Sequence, residues 1–274
     1  MTGTPDANGA APHTWHYGLI ARWWAEFNVG GPEIPYFQRH IERGGGGALD
    51  AGCGTGRLLI PFLQAGLDVD ACDVSADMVA LCREQAEREG LTPALYVQGL
   101  HELDLPRRYR TIVVCGVLGV GSDREQDAEA LRRLYEHLEP GGTLVLDNEP
   151  PYASPRQWRY WPREERRALP EPPEPPQERR RTADGSELAL RSRIVELDPL
   201  AQQTRLEMHA QLWRDGELQA EERHTIDLAL YLTNELLLML DRAGFRDVVL
   251  HRGYEEVPPT GDDDFVVFVA TKAR

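Results

Sequence analysis

No run in the 274 residues is long and apolar enough to span a bilayer, and Met1–Ala10 lacks a basic region followed by an apolar one. The expectation is a soluble cytoplasmic protein with no membrane partner. Positive charge is also scarce, with 30 Lys and Arg against 45 Asp and Glu and a formal net charge of -15. A nucleic-acid partner needs a dense basic surface, so none is expected. Cysteine is sparse. Cys53, Cys72, Cys82 and Cys115 form no CxxC pair and stand near no His at zinc-ligand spacing, which points to reduced core thiols and to no metal site.

The remaining composition suits a globular chain, long enough for one α/β domain with an inserted part. Residues 1–14 are small and polar and read as a disordered tail. Trp15, Tyr17, Leu19, Ile20, Trp23, Trp24 and Phe27 then mark a helix, Gly30-Gly31-Pro32 interrupts, and a second helix runs from Ile34 to Arg43. Strand and helix patterns alternate up to residue 150. Strands are expected at Ala48–Asp50, Leu67–Val74, Ala94–Val97, Thr111–Cys115 and Thr143–Asp147, and Ser75 is a helix N-cap. The core resumes over 231–274 with a helix near Thr233–Ala243 and strands at Val248–Leu250 and Phe265–Ala270. The whole predicts an α/β fold built on a doubly wound, seven-stranded, mostly parallel sheet of Rossmann-like type.

Two segments interrupt this core. Residues 151–177 are rich in Pro, Arg and Glu, and are expected to form a mobile loop that closes as a lid. Their basic and aromatic residues (Arg156, Arg159, Trp158, Tyr160, Trp161) are offset by Glu164, Glu165, Glu171 and Glu174, which favours a solvated segment over an RNA clamp. Residues 178–230 alternate apolar and polar between the turn signals Asp184-Gly185, Asp198-Pro199 and Asp215-Gly216, predicting an antiparallel β insertion. That insertion is a candidate homodimer surface.

The chemical signal lies at the first strand–helix junction, Asp50-Ala51-Gly52-Cys53-Gly54-Thr55-Gly56-Arg57. Glycines there let backbone approach a ligand more closely than any Cβ would allow. Their every-second-position spacing departs from the G-x-G-x-x-G of dinucleotide sites, which argues against a nicotinamide oxidoreductase. Asp73 ends the second strand, where a carboxylate accepts both ribose hydroxyls of a nicotinamide or an adenosyl nucleoside.

With Cys72–Met78 and His137–Asp147, this junction strongly resembles the class I S-adenosylmethionine (SAM)-dependent methyltransferases, and Ala243-Gly244-Phe245 with the last two strands is similar to the same family. The insertion and the aromatic first helix look like its small-molecule branch, which includes glycine and amino-sugar N-methyltransferases. The resemblance implies SAM as cofactor and methyl transfer to a nitrogen or oxygen of a small molecule. It places the methionine part of SAM on the backbone at Ala51, Gly52 and Gly54, the ribose on Asp73, and the adenine on Val74 and Met78, with Asp50 and Arg57 also at the cofactor. Cys115 and Gly116 would line the transfer site, and Tyr17 would cover the cofactor. The acidic residue that the family often places after the third strand is Leu100 here, so backbone or His101 would bind the adenine amino group. Trp24 and Tyr152 are expected at the acceptor, with His224 as a candidate general base and Glu149 as a candidate catalytic residue that orients an amine acceptor or else caps a loop. SAM cyclisation and non-catalytic SAM binding are the alternatives.

Overall fold

The computed structural model describes residue 14, residues 16–173 and residues 178–274. Most of the expected tail therefore lies outside the described residues, as does Trp15.

A run of apolar side chains alternating between two faces makes each core strand a two-sided element. β1 (Ala48–Ala51) lies between β2 (Val69–Asp73) and β4 (Tyr109–Val114), parallel to both; β3 (Leu95–Val97) flanks β2, and β5 (Leu138–Asn148) flanks β4. The four insertion strands, β6 (Arg180–Arg181), β7 (Glu187–Asp198), β8 (Gln203–Arg214) and β9 (Glu217–Ala229), form a separate antiparallel meander. β10 (Arg246–Arg252) and β11 (Val266–Thr271) return to the main sheet antiparallel, giving the order β10-β11-β5-β4-β1-β2-β3. The expected seven-stranded, mostly parallel sheet with an antiparallel insertion is what the chain forms.

Before β1 come α1 (Gly18–Phe27) and α2 (Glu33–Gly44); α3 (Leu59–Gln64) and α4 (Ala76–Arg88) cross between the first strands. α4 starts at the expected cap, where Ser75 Oγ accepts from Met78 N at 3.1 Å. α5 (Arg124–His137) opens with a reciprocal cap between Asp123 and Gln126. Leu49, Ile112, Val114, Leu144 and Leu146 point to the face covered by α5 and by α8 (Thr233–Ala243). Ala48, Val113 and Val145 point to the opposite face, against Tyr36, Phe37 and Phe62 of α2 and α3. Both faces are thereby buried, and the chain's reversal of direction leaves a crevice at the carboxyl ends of β1 and β4.

The insertion presents Leu188, Leu190, Met208, Ala210 and Ile226 to Leu19 and Ile20 of α1. Its last hairpin turns on Asp215 and Gly216, both left-handed at φ 51° and 81°, the geometry a tight two-residue turn requires.

The segment after β5 departs from expectation. It holds α6 (Pro155–Trp158) and α7 (Arg163–Arg166), and through residue 173 it packs on the insertion instead of running free. Tyr160 is buried against Ile194 and Leu197, and the Glu171 carboxylate receives Ile194 N at 2.7 Å and Tyr160 Oη at 3.1 Å while pairing with Arg156. Prolines and charges hid the apolar surface that Tyr160, Trp161 and Leu169 supply together.

Candidate functional site

The turn after β1 is built from backbone that only glycine adopts without strain. Gly52 and Gly56 both have φ +92°, and Gly52 N and Cys53 N both donate to Cys72 O, at 2.8 and 2.9 Å. A Cβ on Gly52 would sit 2.3 Å from Val117 Cγ2, and one on Gly56 2.9 Å from Cys82 Sγ. Asp73 closes the turn, its two carboxylate oxygens accepting from Gly54 N at 2.9 Å and Ser75 N at 2.8 Å. Burial raises its pKa, those two amides opposing the shift.

Three connected spaces open at this crevice. The first, about 320 Å³, is walled by Asp50, Gly52, Gly54, Arg57, Asp73, Val74, Met78, Cys115 and Gly116, with Trp24 and His16 closing it from the N-terminal side. A smaller compartment shares Gly52, Asp73 and Val74 and extends to Leu100, His101, Ser122 and Asp127. The third, about 510 Å³, lies beyond the end of β4 and shares Arg57, Cys115, Gly116 and Val117 with the first. Its walls are apolar along Ile194, Leu206, Leu228 and Leu230, and polar at Asp147, Asn148, Glu149 and Tyr254.

Where the first and third spaces meet, Asp147 is buried and fully engaged. One oxygen accepts from Gly116 N at 2.6 Å; the other accepts from Tyr254 Oη at 2.8 Å and Cys115 Sγ at 3.1 Å. Arg57 donates to Cys115 Sγ at 3.5 Å and pairs with the buried Glu33 at the start of α2. Burial keeps the Asp147 carboxyl, the Tyr254 phenol and the Cys115 thiol above their ordinary pKa values. Among the described residues no His, Cys, Asp and Glu cluster could hold a metal ion.

The predicted cofactor residues Asp50, Gly52, Gly54, Arg57, Asp73, Val74, Met78, Cys115 and Gly116 all come together in the first space, and Leu100 and His101 line the smaller compartment. Ala51 is fully buried under the turn. Tyr17 stands elsewhere. Its ring stacks on His224 at 3.8 Å, and its neighbour His16 takes the cavity position, because residues 16 and 17 precede α1 in extended backbone and point opposite ways. Burial and the nearby His224 hold the His16 imidazole down to about 3, so it is neutral at physiological pH.

His224 is buried under α1 beside Glu222, at 3.4 Å, outside all three spaces; in β9 it points to the same face as Ile226. The geometry makes it a docking residue for α1 instead of a general base. Glu149 lines the third space, where partial desolvation and Asp264 raise its pKa. Trp24 walls the first space instead of the third, and Tyr152 faces an outer groove beside Leu232 and Leu238. Glu33, Asp147, Tyr254 and His16 were not singled out. Asp147 stood within a recognised motif, but nothing in the order of residues pairs Glu33 with Arg57 or Tyr254 with Asp147.

Asp50 supplies a measurable signature. It is buried, one carboxylate oxygen has no hydrogen-bond partner among the described residues, and desolvation raises its pKa to about 7, with Arg57 opposing and Asp73 reinforcing the shift. The folded state thus holds a proton that the unfolded chain has released between pH 4 and pH 7. Stability of the ligand-free protein is expected to fall across that window, by up to ~1.4 kcal/mol per pH unit from this group. Urea melts at pH 4.5, 5.5 and 6.5 on the protein and on Asp50→Asn read the difference, and equal slopes would remove Asp50 as its source.

Residues 48–142 match a methyltransferase domain family. In sequence the chain is similar to a glycine/sarcosine N-methyltransferase of Halorhodospira halochloris, 33% identical over 116 residues, 41% of this chain and 43% of the relative. It is also similar to a malonyl-[acyl-carrier protein] O-methyltransferase of Pectobacterium atrosepticum, 35% identical over 98 residues and 36% of each chain. The matched stretch thus spans about two-fifths of these curated relatives. In fold it is similar to the sugar N-methyltransferase KedS8 from Streptoalloteichus, with a TM-score of 0.68 at 20% identity over 100% of this chain and 99% of that one.

Proposed function

We propose that this chain, whose residues 48–142 match a methyltransferase domain family, transfers the methyl group of SAM to a nitrogen or oxygen of a small-molecule acceptor in the cytoplasm. The junction of two spaces at Arg57, Cys115, Gly116 and Val117 carries this reading, because a donor in one and an acceptor in the other would meet there. The donor side fits an adenosyl amino acid. The Gly52 cradle would be filled by any Cβ, Asp73 stands for the ribose, and the unpartnered oxygen of Asp50 is a buried acceptor for an ammonium group. The bound cofactor supplies a methyl group already activated by positive sulfur. The chain's work is alignment and exclusion of water, and alignment alone is worth on the order of 7 kcal/mol.

SAM cyclisation or mere SAM storage would leave the acceptor-side space without a role. Homodimerisation through the insertion belongs to the same reading and is measured by sedimentation equilibrium. No helix among the described residues is long and apolar enough to cross a membrane.

Mass spectrometry of products formed from SAM and a metabolite extract tests the reading, which fails if no methylated product accompanies S-adenosylhomocysteine. Asp73→Ala should weaken S-adenosylhomocysteine binding by about 1.5–3 kcal/mol, the worth of charge-assisted hydrogen bonds. Calorimetry showing an unchanged Kd would free Asp73 of the ribose role.

A further inference from the structure

The polar end of the acceptor-side space has a fixed hydrogen-bond polarity. As a carboxylate Asp147 can only accept, and it receives hydrogen bonds from the Tyr254 hydroxyl, the Cys115 thiol and the Gly116 amide. The phenol's one hydrogen is thus committed, and what Tyr254 Oη can offer a ligand is a lone pair. Its ring cannot easily swing away, since Tyr36, Phe37 and Phe265 pack around it at centroid distances of 5.8, 5.7 and 6.3 Å. Glu149 adds a second carboxylate to the same space. Two cations line this space and both are occupied, Arg57 by Glu33 and Cys115 and Arg156 by Glu171 and Ser192.

An end that presents acceptors wants a nucleophile that brings hydrogens. A carboxylate brings none and meets like charge, and a hydroxyl brings one. A primary amine brings hydrogens for both Tyr254 and Glu149 while keeping, once neutral, the lone pair that must face the methyl donor. We propose that the acceptor is a primary amine whose N–H is received by Tyr254 Oη, with Asp147 as the positioning residue that holds the phenol in that polarity. This specificity rests on the methyl-transfer reading above. The apolar walls at Ile194, Leu206, Leu228 and Leu230 would take the amine's carbon body.

Four probes sharing one ring test it: cyclohexylamine, cyclohexanol, cyclohexanone and cyclohexanecarboxylate, each titrated calorimetrically into protein saturated with S-adenosylhomocysteine. The amine should bind at least about tenfold more tightly than the alcohol, the worth of one charge-assisted hydrogen bond, and the carboxylate should give no heat. In Asp147→Asn the amide oxygen can keep the Gly116 amide while the NH₂ donates to Tyr254. That turns the phenol proton into the cavity and moves the preference from cyclohexylamine to cyclohexanone. Tyr254→Phe should abolish the preference between those two without altering S-adenosylhomocysteine affinity.

A merely structural Asp147 would weaken all four probes together, or S-adenosylhomocysteine itself, without reordering them. That result overturns the proposal, as does an alcohol or carboxylate that matches the amine, or an absence of amine binding to the loaded wild-type protein. Failure of S-adenosylhomocysteine to bind wild type would instead overturn the methyltransferase reading.

Discussion

Gly52→Val is expected to lower S-adenosylhomocysteine affinity by at least about 100-fold, close to 3 kcal/mol, in a protein that still folds. Gly52 has φ +92°, where a β-branched residue is strongly disfavoured, and holding a non-glycine residue in such a region costs about 1–3 kcal/mol. Space is the second obstacle. The new Cβ would lie 2.3, 2.8 and 3.1 Å from three side-chain atoms of Val117, so Val117 must move or the turn must open. Val117 borders all three spaces, and Gly52 itself borders two of them. Either response therefore reshapes the donor cradle. Gly54→Ala provides the contrast, because its Cβ would meet only Met78 Cε at 3.9 Å, leaving the strain of φ +53° as the main cost. Calorimetry on both variants decides the matter, and an affinity within tenfold of wild type for Gly52→Val would show that close backbone approach is not what the turn provides.

Arg57→Met should destabilise the fold by about 3–5 kcal/mol, the usual consequence of leaving one partner of a buried ion pair uncompensated. Glu33 is 6% exposed and its only ion-pair partner among the described residues is Arg57. The pair also ties the start of α2 to the turn after β1, so acceptor and donor walls should loosen together. Replacing both partners, Arg57→Met with Glu33→Gln, removes the stranded charge and should recover most of the loss. A double-mutant cycle in urea, read at one pH, measures the coupling. A single-mutant loss under 1 kcal/mol would mean that water reaches Glu33 freely and that the pair is ornamental to stability.

The residues of the proposed donor half were legible because the pattern that brings them together is local. Glycine spacing, Asp73 at a strand end and Ser75 as a helix cap are each set by neighbours within a few residues, and the structure assembles them as the motif implies. The acceptor half depends on side chains from distant parts of the chain. Tyr254 and Asp147 are 107 positions apart and meet only because β11 pairs with β5 and the loop before β11 folds over the end of that strand. Glu33 and Arg57 meet because α2 packs on the face of the sheet that α3 also covers.

His224 shows the opposite error, since a lone imidazole in a strand carries no label for the face it will occupy. Here that face belongs to α1, and the ring became a stacking partner for Tyr17. The segment after β5 misled for a related reason. Prolines and paired charges describe a loop's composition but not whether a buried carboxylate such as Glu171 will gather it onto a sheet.

By itself the sequence determined the order and type of the core elements, the parallel sheet with its inserted meander, and the backbone cradle after β1, because periodicity and glycine stereochemistry act over a few residues. The tertiary structure alone decided which aromatic ring faces the cofactor side, which carboxylate sits at the junction of the two spaces, and which way the hydroxyl of Tyr254 points. Those outcomes are set by strand pairing and helix docking across more than a hundred residues, where no local pattern reaches.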